Sequence, residues 1–147
     1  MQYRISFEIN PNPKDVAILE RGIAAGALGK AGHNSSDRFA FFIRGDNNEV
    51  LGGCHGEIWC GCLHIHQLWV EEGIRGAGYG AKLMLSAENL GTEKGCTFAA
   101  ANTMARDVVS FYQELGYEIE FERKGYLNGS VLYFMRRNLP VKHTVPT

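Results

Sequence analysis

The hydrophobic and polar positions of this chain change period several times, and each change marks an element. Residues 3–9, YRISFEI, alternate as a strand with one apolar face does. The segment NPNPKD then turns the chain, with Asn12 and Asp15 as candidate helix caps. From residue 14 to 28, Val16, Ile18, Leu19 and Ile23 have roughly helical spacing, which predicts a helix. Glycines at 22, 26 and 29 weaken it, each by about 1 kcal/mol against alanine. The following GKAGHNSS reads as a mobile loop.

RFAFFIRG and EVLGGCHGEIWC flank the turn DNNE as a predicted hairpin, and CLHIHQLWV is a further strand. A helix is expected from Gly78 to Lys94, with Tyr79, Leu83, Ala87 and Leu90 on one side and Gly95 as its stop. CTFAAAN is a short buried strand, and RDVVSFYQELG is a helix ending at Gly116. YEIEFERKG and SVLYFMRRN close the chain as strands, with Asn128-Gly129 near their turn. The order β-α-β-β-β-α-β-α-β-β predicts a single α/β (α+β) domain. Its sheet is mixed, because helices join some strands and hairpins join others. The domain is expected over residues 1–140, and residues 141–147 as a loose tail with little to bury.

Composition narrows the function classes. The chain has 147 residues, 45% apolar and 21% charged, with a formal net charge of −1. That balance gives no reason to expect nucleic acid or an anionic membrane as partner. No apolar run is long enough to span a bilayer, and the N-terminus lacks the order of a signal peptide, so a cytoplasmic protein is expected. Cys54, Cys60, Cys62 and Cys96 are then expected as reduced thiols.

The chemistry gathers between residues 54 and 80. Arg75-Gly76-Ala77-Gly78-Tyr79-Gly80 joins a strand to a helix. Glycines there allow a sharp turn and close approach of a ligand, and the free N–H groups of the first helical turn favour an anion such as phosphate. Arg75 can add charge-assisted bonds. A P-loop is excluded, because Ala81-Lys82 follows the last glycine where lysine and a hydroxyl residue are needed. Gly76, Gly78 and Ala81 fit the dinucleotide fingerprint, but EEGIR intervenes after the strand, and the next strand ends in Asn102 rather than an acid. The remaining reading is R-x-x-G-x-G, with Arg75, Gly78 and Gly80; a tight turn without a ligand is the plain structural alternative.

His64 and His66 lie two apart on the preceding strand and point to one face, with Cys62 on the same face if the strand is regular. A single histidine there would be read as an ordinary sheet residue; the pair beside an anion-binding corner suggests proton transfer. Cys60, Cys62, His64 and His66, with Cys54 and His55 nearby, also raise a Cys/His metal site. Spacing of about 6–7 Å between alternate side chains argues against several of them meeting one tetrahedral ion.

Residues 63–80 and 111–117 resemble the GNAT superfamily of acetyl-coenzyme A-dependent N-acetyltransferases. LWVEEGIRGAGYG and GSVLYFMRR are similar to small bacterial members. The resemblance implies acetyl-CoA as cosubstrate, no metal, and an amine acceptor, small molecule or peptide. It also implies that Leu68 and Val70 offer backbone groups to pantetheine, and that Arg75, Gly76, Gly78, Tyr79 and Gly80 hold the pyrophosphate. Tyr112 of FYQELGY matches the family tyrosine and is the candidate acid, with Phe111 beside it as a packing residue. Ala105 departs from the asparagine that many members carry seven residues before that tyrosine, and Asn102 is the candidate substitute. An H-x-H pair on this strand also occurs in arylalkylamine N-acetyltransferase, so His66 is the first base candidate and His64 the second. His33 and Asn34 are candidate acceptor contacts, and a homodimer is a further expectation. The rival function is a coenzyme-binding module without catalysis.

Overall fold

The structure is a computed structural model that describes residues 1–27, 29 and 36–142; His33, Asn34 and the end of the expected tail lie outside them. Its backbone contacts divide the chain into two units, Met1–Ser35 and Ser36–Thr147.

In the first unit, helix α1 (Pro13–Ala24) begins where the sequence allows. Asn12 caps it by accepting from the Lys14 N–H at 2.9 Å, and Pro13 starts the first turn without needing a donor. The helix ends at Ala24, short of the expected residue 28, and the N–H of Gly26 turns back to the Ile23 carbonyl at 3.0 Å. Residues 3–9 correct the sequence reading more sharply, because they form no strand. Their alternation specifies two faces but supplies no hydrogen-bonding neighbour, and a strand exists only in a ladder.

The second unit is a six-stranded sheet of order β1-β2-β3-β4-β6-β5. Its strands are β1 (Ser36–Arg44), β2 (Val50–Trp59), β3 (Cys62–Val70), β4 (Phe98–Thr103), β5 (Glu118–Arg123) and β6 (Leu132–Asn138). Only β3 and β4 run parallel, joined by helix α2 (Tyr79–Glu93); helix α3 (Arg106–Glu114) links β4 to β5. Leu83, Met84 and Ala87 of α2 and Val109 and Tyr112 of α3 form one core with Leu63, Ile65, Ala99, Ala101, Tyr133 and Met135 of the strands. Alternation turns Cys62, His64, Phe98, Ala100 and Arg136 to the opposite face.

One charge sits inside the core. Glu88 of α2 is buried and accepts from the Tyr117 hydroxyl at 2.8 Å and from Arg137 Nη1 at 2.9 Å. The pair of donors ties α2 to β6 and to the residue that enters β5, and satisfies a carboxylate that burial would otherwise penalise.

Candidate active site

The site begins with an irregularity in β3. Its register with β2 runs from Trp59–Cys62 to Gly56–Ile65 and resumes at His55–Gln67, so His66 is an extra residue. Gly56 permits this, because a Cβ there would collide with the His64 carbonyl oxygen. The bulge changes which positions face the helices: Leu63 and Ile65 before it, Leu68 and Val70 after it. Pairing of β3 with β4 stops at Ile65–Ala101, although β3 continues to Val70 and β4 to Thr103. The two parallel strands therefore part just beyond the bulge.

The end of β3 stays bound to β2 on its other side, where the Glu71 N–H donates to the Leu51 carbonyl at 2.8 Å. Ladder alternation then aims the backbone groups of Leu68 and Val70 toward the edge that β4 has left. One acceptor there is partly engaged, since Arg75 Nε donates to the Val70 carbonyl at 2.8 Å. Arg75 thus fastens the corner to the strand through Nε, and among the described residues its terminal nitrogens form no ion pair.

The corner itself is made by backbone conformation. Glu71 accepts from the Gly73 N–H at 2.7 Å and closes the short 3-10 turn Glu72–Ile74. Gly76 (φ 87°) and Gly78 (φ 83°) are left-handed, a region costly for residues with a Cβ. Gly78 caps α2 with no side-chain bond, so the first amides of the helix keep their capacity for an external acceptor. Gly80 serves packing, because a Cβ there would lie 3.2 Å from the Phe111 ring.

Leu68, Val70, Arg75, Gly76, Gly78, Tyr79 and Gly80 all line one cavity of ≈ 660 Å³, closed on its other side by Val108 and Phe111 of α3. Every coenzyme residue expected from sequence is there except Asn102, which is exposed at the end of β4 and outside the lining. Trp69 and Val108 were not foreseen, and Phe111 lines the cavity as well as packing the core. The donor set suits a ligand with an anionic end at the helix and an extended, amide-bearing arm along β3.

The histidines occupy the face away from the core helices. The His64 and His66 rings stack at 6.3 Å with planes 11° apart. Burial holds the His64 imidazole below its usual value, helped by neighbouring His66 and opposed by Glu57. Glu57, on β2 opposite His64, was missed from sequence; once the hairpin register is set, it is the residue across the strand. Its Oε1 lies 3.5 Å from His66 Nε2, and its Oε2 accepts from the Ser36 hydroxyl at 2.6 Å. The Ser36 bond, chiefly, keeps the Glu57 carboxyl below the ordinary carboxylate range. Among the described residues His55 Nδ1 is buried with no hydrogen-bond partner, and that ring lies 6.0 Å from His66.

Tyr112 is 4% exposed, edge-on to Phe111 at 5.5 Å and 5.3 Å from the Tyr117 ring. It does not line the cavity. Burial, then nearby Cys54, pushes its hydroxyl up to about 12. Burial likewise raises the thiols of Cys54 to about 11 and Cys62 to about 12, which makes both poor nucleophiles near neutral pH. Cys54 joins the core, whereas His64 and His66 face away. Among the described residues, no three of the histidines, cysteines and acids are grouped so as to hold a metal ion.

Comparison with known proteins completes this geometry. A family model described as acetyltransferase (GNAT) family matches residues 8–117, a span that runs through both units. The chain is 31% identical over 102 residues to the blasticidin-S acetyltransferase of Streptomyces morookaense, covering 69% of this chain and 75% of that protein. It superposes with TM-score 0.83 and 26% identity on the crystal structure of an Agrobacterium tumefaciens protein assigned as an acetyltransferase, covering 95% of this chain and 100% of that one. A streptothricin acetyltransferase assignment from Bacillus anthracis, solved with acetyl coenzyme A, shares the fold at TM-score 0.62 and 16% identity, over 70% of this chain and 63% of that one. A cavity with uncapped helix-start amides beside a parted strand pair, on a sheet of this order, agrees with those matches: the chain belongs to the GNAT family and is an acetyl-CoA-dependent acetyltransferase.

Proposed function

We propose that the enzyme acetylates an amine acceptor by direct attack, with His66 receiving the amine proton, His64 as its relay partner and Tyr112 as the acid. The observation that carries this reading is the bulge at His66. It lies at the point where β3 and β4 part, with the cavity lined by Leu68 and Val70 immediately after it. Gly76, Gly78, Tyr79 and Gly80, with Arg75, would hold the pyrophosphate, and the backbone of Leu68 and Val70 the pantetheine arm.

Acetyl-CoA supplies the activated acyl group. The acceptor nitrogen forms its bond to the acetyl carbon as the carbon–sulfur bond breaks. His66 takes the proton from nitrogen, and Tyr112 gives one to the departing sulfur once its hydroxyl, buried and outside the cavity lining in this structure, is brought onto that sulfur. Burial keeps the Tyr112 hydroxyl protonated across the working range, and also makes it a weaker acid than an ordinary tyrosine. Holding both reactants in register would supply much of the acceleration.

The Streptomyces relative is named for a small-molecule acceptor, blasticidin S, and supports an acceptor of that class here. The test is release of free coenzyme A thiol from acetyl-CoA with a panel of amines: blasticidin S, aminoglycosides, polyamines and peptides. Turnover with a small-molecule amine supports the reading. Turnover with peptides and with none of the small-molecule amines would overturn it.

A further inference from the structure

We propose that Glu57 is the positioning residue for His66: from the neighbouring strand it holds the imidazole proton on Nε2, so that Nδ1 is the nitrogen presented to the acceptor. The inference rests on His66 being the base. It starts from a short chain of contacts, Ser36 Oγ to Glu57 Oε2 at 2.6 Å and Glu57 Oε1 to His66 Nε2 at 3.5 Å. An ionised carboxylate can only accept, so an Nε2 that bonds to it carries the hydrogen, and in a neutral imidazole the other nitrogen then holds the lone pair. The same carboxylate stabilises the imidazolium that forms when Nδ1 takes a proton.

The bulge makes a second anchor necessary. His66 has no paired residue on β2 to fix it. Its other neighbours are rings, His64 stacked at 6.3 Å and His55 at 6.0 Å, which restrict tilt but not which nitrogen is protonated. Glu57 itself cannot swing freely, because Ser36 holds its second oxygen. Among the described residues, the charged and titratable groups shown against His66 are Glu57 and His55 on β2 and His64 on β3, with Arg38 of β1 across the ladder from Glu57. Arg38 is exposed, and no ion pair between it and Glu57 is present among the described residues. Among the described residues Glu57 is therefore the one carboxylate of the cluster, and it meets the bulged histidine.

The test uses the full chain with 15N-labelled histidine, recording the tautomer of each ring by NMR alongside kcat/KM against pH. Wild type should show neutral His66 protonated on Nε2. Glu57→Gln keeps the shape but loses the charge and offers an N–H, so the Nε2–H preference should fall. Its kcat should drop roughly tenfold with acetyl-CoA KM unchanged. Glu57→Asp should recover part of both effects, and Ser36→Ala should show a weaker version of the Glu57→Gln change. An unchanged tautomer in a folded Glu57→Gln protein, or kcat within roughly twofold of wild type, overturns the proposal. If the tautomer changes but His66→Ala keeps full kcat, the assignment of His66 as base has failed instead, and the catalytic role of Glu57 falls with it.

Discussion

The coenzyme corner and the histidine cluster sit a few residues apart in sequence, yet they are built by different means. The corner is local and mostly backbone: left-handed Gly76 and Gly78, the open amides of α2 and the edge of β3. The cluster is assembled across strands from side chains of β1, β2 and β3, and depends on a one-residue bulge for its aim. A site made of backbone tolerates side-chain change but not a misplaced Cβ. A site made of side chains fails one group at a time. Substitutions in the two regions should therefore separate into losses of affinity and losses of turnover.

The largest effect is expected at His66. His66→Ala should lower kcat by about 10²-fold or more, because general-base help is worth roughly 10²–10⁴-fold, while acetyl-CoA affinity stays nearly unchanged. The rising limb of kcat/KM with pH should be lost in that variant, read with an acceptor of low pKa so that amine ionisation does not mimic it. Calorimetry showing that His66→Ala weakens acetyl-CoA binding would blur the division between the regions.

Gly78→Val comes next, with the opposite signature. A β-branched residue at φ 83° costs about 1–3 kcal/mol, so acetyl-CoA affinity should fall by roughly tenfold or more. The kcat at saturating coenzyme should change far less. Arg75→Ala should weaken affinity by a smaller factor, since one of its nitrogens is spent on the Val70 carbonyl. A folded Gly78→Val protein with wild-type affinity would remove the corner from the site.

Tyr112→Phe should lower kcat several-fold while the low-pH limb remains. With its hydroxyl raised to about 12, wild-type Tyr112 should cause no falling limb at moderately alkaline pH. The smallest effect is expected for Cys62→Ala, which should keep most of its activity because a buried thiol raised to about 12 is a weak nucleophile. Acetylated Cys62 trapped at the rate of turnover would contradict direct attack.

The same contrast explains what the sequence made legible. R-x-x-G-x-G announced the corner because positive φ and an uncapped helix start demand glycine, and that demand is local. The strands of the second unit and helices α2 and α3 were readable from period and punctuation for the same reason. Residues 3–9 misled because alternation does not specify a pairing partner. Glu57 stayed hidden because its relation to His66 exists only through the β2–β3 register and the bulge. That bulge left a trace: apolar positions step from Leu63 and Ile65 to Leu68 and Val70, a change of parity within one strand. Burial of Tyr112 behind Phe111 likewise depends on packing that α3 alone does not encode.

The separation of the two regions is tested most directly by a double-mutant cycle on kcat/KM for acetyl-CoA with His66→Ala, Gly78→Val and the double variant. Independent sites should give free-energy losses that add to within about 0.5 kcal/mol, the corner acting on binding and the cluster on turnover. A coupling well above about 1 kcal/mol, with each single variant disturbing both affinity and kcat, would show that corner and histidines form one unit and would contradict this account.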